Sequence, residues 1–283
     1  MQGGLGNQLF QLAAGLYAEE QLSTSVLYET SWYKYRPNAA ERPFGIAPLL
    51  SHQRLVTLPL HVARYAYSTY NPFYRAEPQP EQDNTAESIF QLLARNWRVL
   101  SGYFQSASLV MAVRDQLSER LTPLIKEKTS GECADVIGVH IRLGDYYETP
   151  KVMESAGVCS PEYFSEALEL VNKRRSVPQR IVVFTDSPEI FAKDYASSFP
   201  ANAYISEARS GWQALAGLSQ CEAVIMSNSS LSWWAAFVGA VLTGQVQQVV
   251  MPTPWMAVPS EIEGRLVMEG WQMLKRKPLT TPS

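Results

Sequence analysis

At 283 residues the chain is long enough for one large or two ordinary domains, and its 24 basic and 27 acidic residues leave a net charge of −3, with no electrostatic footprint for nucleic acid. The longest unbroken apolar run, Trp233 to Leu242, is too short for the ~20 residues of a membrane-spanning helix, and no secretory signal is visible. Cys133, Cys159 and Cys221 are odd in number and scattered, which predicts reduced thiols rather than a disulfide frame or a zinc site.

The chain opens on Gly3-Gly4-Leu5-Gly6-Asn7-Gln8, followed by Leu9, Leu12, Ala13, Leu16, Tyr17 and Glu20 at helical spacing, so a helix is expected over about 5–22. Glycines before a helix let backbone approach a ligand closely. A Rossmann dinucleotide site is one reading, because Glu29 ends an apparent strand, 26–29, about 20 residues on. Against it, Leu9 stands where the third glycine of G-x-G-x-x-G belongs, and Asn7-Gln8 has no job in that fingerprint. Aromatic residues crowd the next stretch: Trp32, Tyr33, Tyr35, Tyr65, Tyr67, Tyr70, Phe73 and Tyr74, with Arg36 and Arg75 among them. They suit either core packing or a platform for a sugar ring. A helix at 86–96, a strand at 98–103 and a helix at 106–121 complete a first, smaller α/β domain over 1–126. The polar stretch Lys126 to Glu132 marks the break.

Beyond it the pattern is regular: strand 136–142, helix 160–175, strand 180–185, helix 187–198, helix 211–221, strand 223–227, helix 229–243 and strand 246–251. Ser160-Pro161-Glu162 and Ser187-Pro188-Glu189 each place a cap residue, a first-turn proline and a glutamate in the order that starts a helix. This alternation predicts an α/β domain over 134–256, a parallel sheet with helices on both faces. Residues 257–283 form a C-terminal segment whose end, Lys275 to Ser283, is expected to be disordered.

Two junctions in this second half carry chemistry. His140-Ile141-Arg142-Leu143-Gly144-Asp145-Tyr146 follows the β-branched run Val136 to Val139, which places a base, a fixed cation and a carboxylate at the carboxyl end of a buried strand, where open α/β sheets bind ligands. Arginine there suits phosphate; the plainer reading is an Arg-Asp pair ending a strand. Ser227-Asn228-Ser229-Ser230, between a second buried strand and an apolar helix, supplies hydroxyls, an amide and helix-start N–H groups, an anion site with Asn228, Ser229 and Ser230 at its centre. Asp186 ends a third strand. There a carboxylate can accept N–H groups of a ligand; alternatively it begins an Asx turn.

Taken in order, GGLGNQLFQ, HIRLGDY, VFTD and SNSSLSWW resemble the α1,2-fucosyltransferases of glycosyltransferase family 11. Leu100 to Gln105, and Met251-Pro252 with Trp255, look like further landmarks of that family, so the resemblance covers most of the chain. It implies a GT-B-like fold of two Rossmann-like domains, a GDP-β-L-fucose donor, inversion at the anomeric carbon, no required metal, and transfer to O2 of a terminal β-galactoside, giving Fucα1-2Gal in bacterial surface-glycan synthesis. It further implies donor contacts from Gly4, Gly6, His140, Arg142, Asp186, Asn228, Ser229 and Ser230. Asp186 would read guanine, Asn7 would sit by the reacting centre, and Asp145 is a candidate acceptor for the O2 proton. A chain of this kind without an anchor looks bacterial and cytoplasmic, with room for loose association with the inner membrane. The sequence is silent on oligomeric state.

Three departures stand out. The family's H-x-R-R-x-D-Y has Leu143 at its second arginine, which implies either weaker donor affinity or substitution by another cation. The acidic residue of a D-x-x-L-M-S run is missing from Ala214 to Ser219. The glycine loop begins at residue 3, leaving no room for a strand to feed it: either the true start lies upstream or the first strand is lost, and a first domain without that central strand would bury less apolar surface. Two other functions fit parts of the sequence: an NAD(P)-dependent Rossmann oxidoreductase, and an inactive sugar-nucleotide-binding protein.

Overall fold

The computed structural model describes residues 1–35, 43–66, 74–76, 99–128, 135–173, 179–258, 260 and 262–279. The chain divides into two compact units, residues 1–121 with 264–266, and residues 122–263 with 267–279.

In the first unit the expected helix runs Leu5–Leu22 and ends at Ser23, whose φ of 47° breaks it in the left-handed region. Its residues from Leu9 to Ala18 are buried on every side. Two glutamines inside it have structural work. Gln8, fully buried, donates through Nε2 to the carbonyls of Gly3 (3.0 Å) and Pro43 (2.9 Å), and its Oε1 accepts from the N–H groups of Gly45 (2.8 Å) and Ile46 (3.3 Å). Gln11 pairs with both backbone groups of Gln2 (3.0 and 2.8 Å). Strand β1 (Tyr28–Glu29) pairs in parallel with β2 (Leu55–Val56), and β3 (Tyr74–Ala76) in parallel with β4 (Val99–Ser101). Among the described residues these remain two separate pairs. A cavity of about 900 Å³ lies beside them, walled by Ala14, Gly15, Tyr28, Leu58, Leu100 and Phe104. The single helix expected at 106–121 is broken at Val113 (φ −116°, ψ 20°) into Ala107–Ala112 and Arg114–Lys128. The helix expected at 86–96 lies outside the described residues.

The second unit is the expected parallel sheet. Its strands β5 (Val136–Ile141), β7 (Arg180–Thr185), β8 (Ala203–Ile205), β9 (Ala223–Ile225), β10 (Gln248–Thr253) and β11 (Gln272–Lys275) lie in the order β11-β10-β9-β5-β7-β8, all parallel. Central β5 is buried throughout. One of its faces, Ile137, Val139 and Ile141, joins a core with Tyr163, Phe164, Ala167 and Val171 of helix Pro161–Asn172. On the other face Gly138 lets helix Gly211–Ser219 come close: a Cβ there would stand 2.6 Å from Cys221 Sγ and 3.1 Å from Leu218 Cδ2. The chain leaves β5 for β7 and β8, then returns to β9 on the opposite side. The carboxyl ends of β5 and β9 therefore flank the switch point, where such sheets open a ligand crevice.

The expected disorder of the tail is overturned up to residue 279. Lys275 ends β11, and β12 (Pro278–Leu279) pairs antiparallel with β6 (Val158–Cys159). Strand alternation leaves Lys275 and Lys277 exposed and turns Arg276 inward, so a run that reads as three solvated cations contains a buried one. Residues 280–283 lie outside the described set.

Replacing Gln8 by Leu would strip the N–H groups of Gly45 and Ile46 and the Pro43 carbonyl of their side-chain partner and leave the Gly3 carbonyl to the Tyr33 hydroxyl alone. We expect a loss of about 3 kcal/mol in urea unfolding. An unchanged midpoint would contradict the latch role.

Candidate functional site

Three loops meet at the carboxyl end of the sheet. After β5, Arg142 pairs through Nη1 with Asp186 Oδ2 at 2.6 Å, both side chains less than a third exposed (29% and 28%). Asp186 Oδ1 accepts from the N–H groups of Leu143 (2.9 Å) and Gly144 (3.2 Å). One carboxylate thus shapes the first turn of the loop and holds its arginine. The Leu143 side chain, in the place of the family's second arginine, is fully buried in the core beneath.

His140, one residue before the end of β5, shares a hydrogen bond from Nδ1 with Ser227 Oγ at 2.8 Å, across the switch point. This side-chain partner occupies Nδ1 and leaves the donor contact expected of His140 to Nε2. Burial pushes the imidazole pKa down to about 4; Asp186 pulls it up and Arg142 presses it down by smaller amounts. His140 is therefore neutral at pH 7. Tyr146, from the same loop, donates its hydroxyl to the Asn228 carbonyl (3.2 Å) and lies 5.8 Å by ring centroid from the Arg142 guanidinium. Tyr163 anchors the second loop from below, donating to the Met226 carbonyl at 2.8 Å.

The serine turn uses much of its polarity internally. Ser229 caps helix Ser230–Phe237, accepting from the Leu231 N–H (3.3 Å), while the Ser232 hydroxyl donates to the carbonyls of Ser227 (3.0 Å) and Ser229 (2.9 Å). Asn228 departs from expectation. Its Nδ2 donates to the carbonyls of Ala156 (3.1 Å) and Gly157 (3.0 Å), and Oδ1 accepts from the Cys159 thiol, so the amide braces the loop internally. Ser230, half-buried, makes no side-chain hydrogen bond among the described residues and sits at the first turn, whose N–H groups lack intrahelical partners. Trp233 and Trp234 are fully buried; Trp233 stacks on Phe237 at 5.5 Å and 8°, holding the helix that presents the turn.

Arg142, Asp186, His140 and the serine turn thus come together in the second unit. Asp145 falls in the short helix Gly144–Glu148, its side chain outside the described set. Gly4, Gly6 and Asn7 lie in the first unit at the start of helix Leu5–Leu22, where Asn7 Oδ1 accepts from Gln105 Nε2 at 2.7 Å. There Glu29, the ribose-binding acid of the dinucleotide reading, accepts from the N–H groups of Ser31 (2.7 Å) and Leu58 (3.4 Å), which is loop bracing. Trp32 and Tyr35 line the first unit's cavity, and Tyr33 donates to the Gly3 carbonyl at 2.9 Å. Arg36, Tyr67, Tyr70 and Phe73, and the side chains of Tyr74 and Arg75, are outside the described residues. Sequence reasoning gave no role to Tyr146, although it stands inside a quoted motif, took Ser227 for an anion ligand rather than the partner of His140, and left Arg276 in a disordered tail.

A family model described as glycosyl transferase family 11 matches residues 85–274, about two thirds of the chain. The chain belongs to glycosyl transferase family 11. It is 26% identical to the O-antigen biosynthesis glycosyltransferase WbnK of Escherichia coli, covering 96% of this chain and 98% of that protein. An alpha-1,2-colitosyltransferase of Escherichia coli is 24% identical over 90% of both chains. A galactoside alpha-(1,2)-fucosyltransferase 1 of Leontocebus fuscicollis is 23% identical over 50% of this chain and 40% of its own length. Among solved structures, the fucosyltransferase NodZ from Bradyrhizobium aligns with a TM-score of 0.45 at 15% identity, covering 88% of this chain and 91% of that one. Membership makes the protein a glycosyltransferase. Among the described residues no helix is long and apolar enough to cross a membrane, and no group of three His, Cys, Asp or Glu side chains could hold a metal ion.

The buried imidazole ties stability to pH. An unfolded His140 takes its proton near 6.5 and the folded one only near 4, so between these values the unfolded chain binds more protons and stability falls as pH falls. His140→Asn, which keeps a hydrogen-bonding group toward Ser227, removes this slope. Urea unfolding at pH 7, 5.5 and 4.5 should show the unsubstituted protein losing up to about 3 kcal/mol relative to the variant. Parallel pH curves would mean that the imidazole is not held neutral.

Proposed function

We propose that this glycosyltransferase moves L-fucose from GDP-β-L-fucose to O2 of a terminal β-galactoside, with inversion and without a metal ion. The observation that carries the reading is the Arg142–Asp186 pair set beside the serine turn at the switch point of a parallel sheet. Family membership and the α1,2 linkage printed in the names of two relatives support it.

In the proposed reaction galactose O2 attacks the anomeric carbon on the face opposite GDP, forming the new C–O bond as the bond to the β-phosphate oxygen breaks. Oxocarbenium character builds on the sugar and negative charge on the departing diphosphate. Arg142 stabilises that charge, with Ser230 and the N–H groups of the following helix turn contributing dipoles. Asp186 holds Arg142 in place and, with Oδ1 taken by two backbone N–H groups, keeps one lone pair on Oδ2 for a guanine N–H. The proton leaving O2 passes to a carboxylate, which we assign to Asp145. Neutral His140 donates or accepts within the loop and carries no part of the charge. In this scheme the protein works in the cytoplasm on surface glycans.

The colitosyltransferase match, over 90% of both chains, favours one second reading: the same transfer with a colitosyl nucleotide. Supplying both donors with lactose or another β-galactoside, and following product by mass spectrometry, separates the two. Product from GDP-fucose is expected to persist in excess EDTA; a strict Mn²⁺ requirement would contradict the charge assignment.

Arg142→Ala should lower kcat by about 10²–10³-fold, as loss of one preorganised donor to a developing anion does, with Arg142→Lys intermediate. Asp186→Ala should raise the donor KM and lower kcat together, because it removes the guanine acceptor and releases Arg142. If it leaves discrimination between GDP and UDP unchanged, the guanine role is lost.

A further inference from the structure

We propose that Arg276 is a positioning residue for the donor diphosphate, supplying from behind the serine turn a positive charge beside that of Arg142. The inference rests on the donor reading above. Arg276 is 2% exposed, and its guanidinium is held by carbonyls: Nε by Pro254 (2.7 Å), Nη2 by Ala156 (2.9 Å) and Trp255 (2.9 Å). Its Nη1 is buried and meets no oxygen acceptor, the Cys159 thiol lies beside the guanidinium, and no carboxylate lies within ion-pair distance of it among the described residues. A guanidinium stays charged, and burying it beside dipoles alone carries a desolvation penalty that a packed neutral side chain would not. Such a charge is retained most readily where an anion completes it.

The place of Arg276 in the fold says which anion. The Ala156 carbonyl that takes its Nη2 also takes Asn228 Nδ2, so a single carbonyl separates this cation from the turn Ser227-Asn228-Ser229-Ser230. Pro254 and Trp255 follow β10 and Arg276 follows β11, two strands whose carboxyl ends lie on the ligand side of the sheet. In a buried, low-dielectric surround its field reaches a bound diphosphate without touching it. The loop after β5 brings one arginine, Arg142, and its neighbour Leu143 fills core. Arg276 adds a second positive charge from the far side of the turn.

The readout must separate charge from packing. GDP and guanosine share the base and ribose and differ in charge, so calorimetry on the full chain should show Arg276→Met weakening GDP by about tenfold or more with guanosine changed less than twofold, and Arg276→Lys keeping most of the GDP affinity. Equal weakening of both ligands, or of neither, would overturn the proposal. If Arg276→Met does not fold, Arg276→Lys alone decides: a GDP-to-guanosine affinity ratio near that of the unsubstituted protein supports the charge role, and a collapsed ratio with the charge still present refutes it. Unsubstituted protein that binds no GDP sinks the donor reading itself. GDP binding that survives Arg276→Met sinks only this inference.

Discussion

The carboxylate of Asp186 constrains the ligand end of the second unit more than any other group. One oxygen accepts two consecutive backbone N–H groups of the loop after β5, and the other meets the Arg142 guanidinium. Charge-assisted bonds of this kind are short and directional, so the loop has little freedom to carry its arginine elsewhere. They also tie two neighbouring strands together at their carboxyl ends, since Asp186 follows β7 and Arg142 follows β5. A half-buried ion pair at that position can exchange part of its partner for a phosphate while its loop stays in shape.

Around that pair the buried polar groups are matched. His140 and Ser227 satisfy each other across the switch point, and Asn228 meets two carbonyls and a thiol. Tyr163 and Tyr195 cap the carbonyls of Met226 and Cys159. Fully satisfied networks in low dielectric rigidify what they join. The serine turn is thus fixed from beneath by aromatic packing and from the sides by hydrogen bonds, leaving Ser230 and the helix-start N–H groups as its outward chemistry. Arg276 stands apart in this network as a charge met by dipoles only.

Much of the second unit was legible because its sheet is buried on both faces. Continuous β-branched runs such as Val136 to Val139 and Ile181 to Val183 have few other fates, and Ser-Pro-Glu marked the start of helix Pro161–Asn172 correctly. β8 and β11 escaped notice because they are short outer strands, half-exposed, with no apolar run to betray them. The helix expected at 187–198 is present only as a short helix, a π turn and a 3-10 turn, since its start signals say nothing of how its later turns pack. Gln8 looked idle because a side chain's backbone partners, here 35 to 38 residues away, have no signature in local pattern.

What the sequence determined by itself is therefore local and periodic: the helix after the glycine loop, the parallel strands, and the motifs at their ends that bring an arginine, a carboxylate and a serine turn to one edge. Tertiary structure alone decided which groups those side chains meet. It set Asp186 on Arg142, made His140 neutral by burying it against Ser227, turned the Asn228 amide inward, and folded Arg276 under the serine turn. The reason is physical. Periodicity reports which face of an element is apolar, whereas the state of a polar group depends on partners and dielectric supplied by residues far away in the chain.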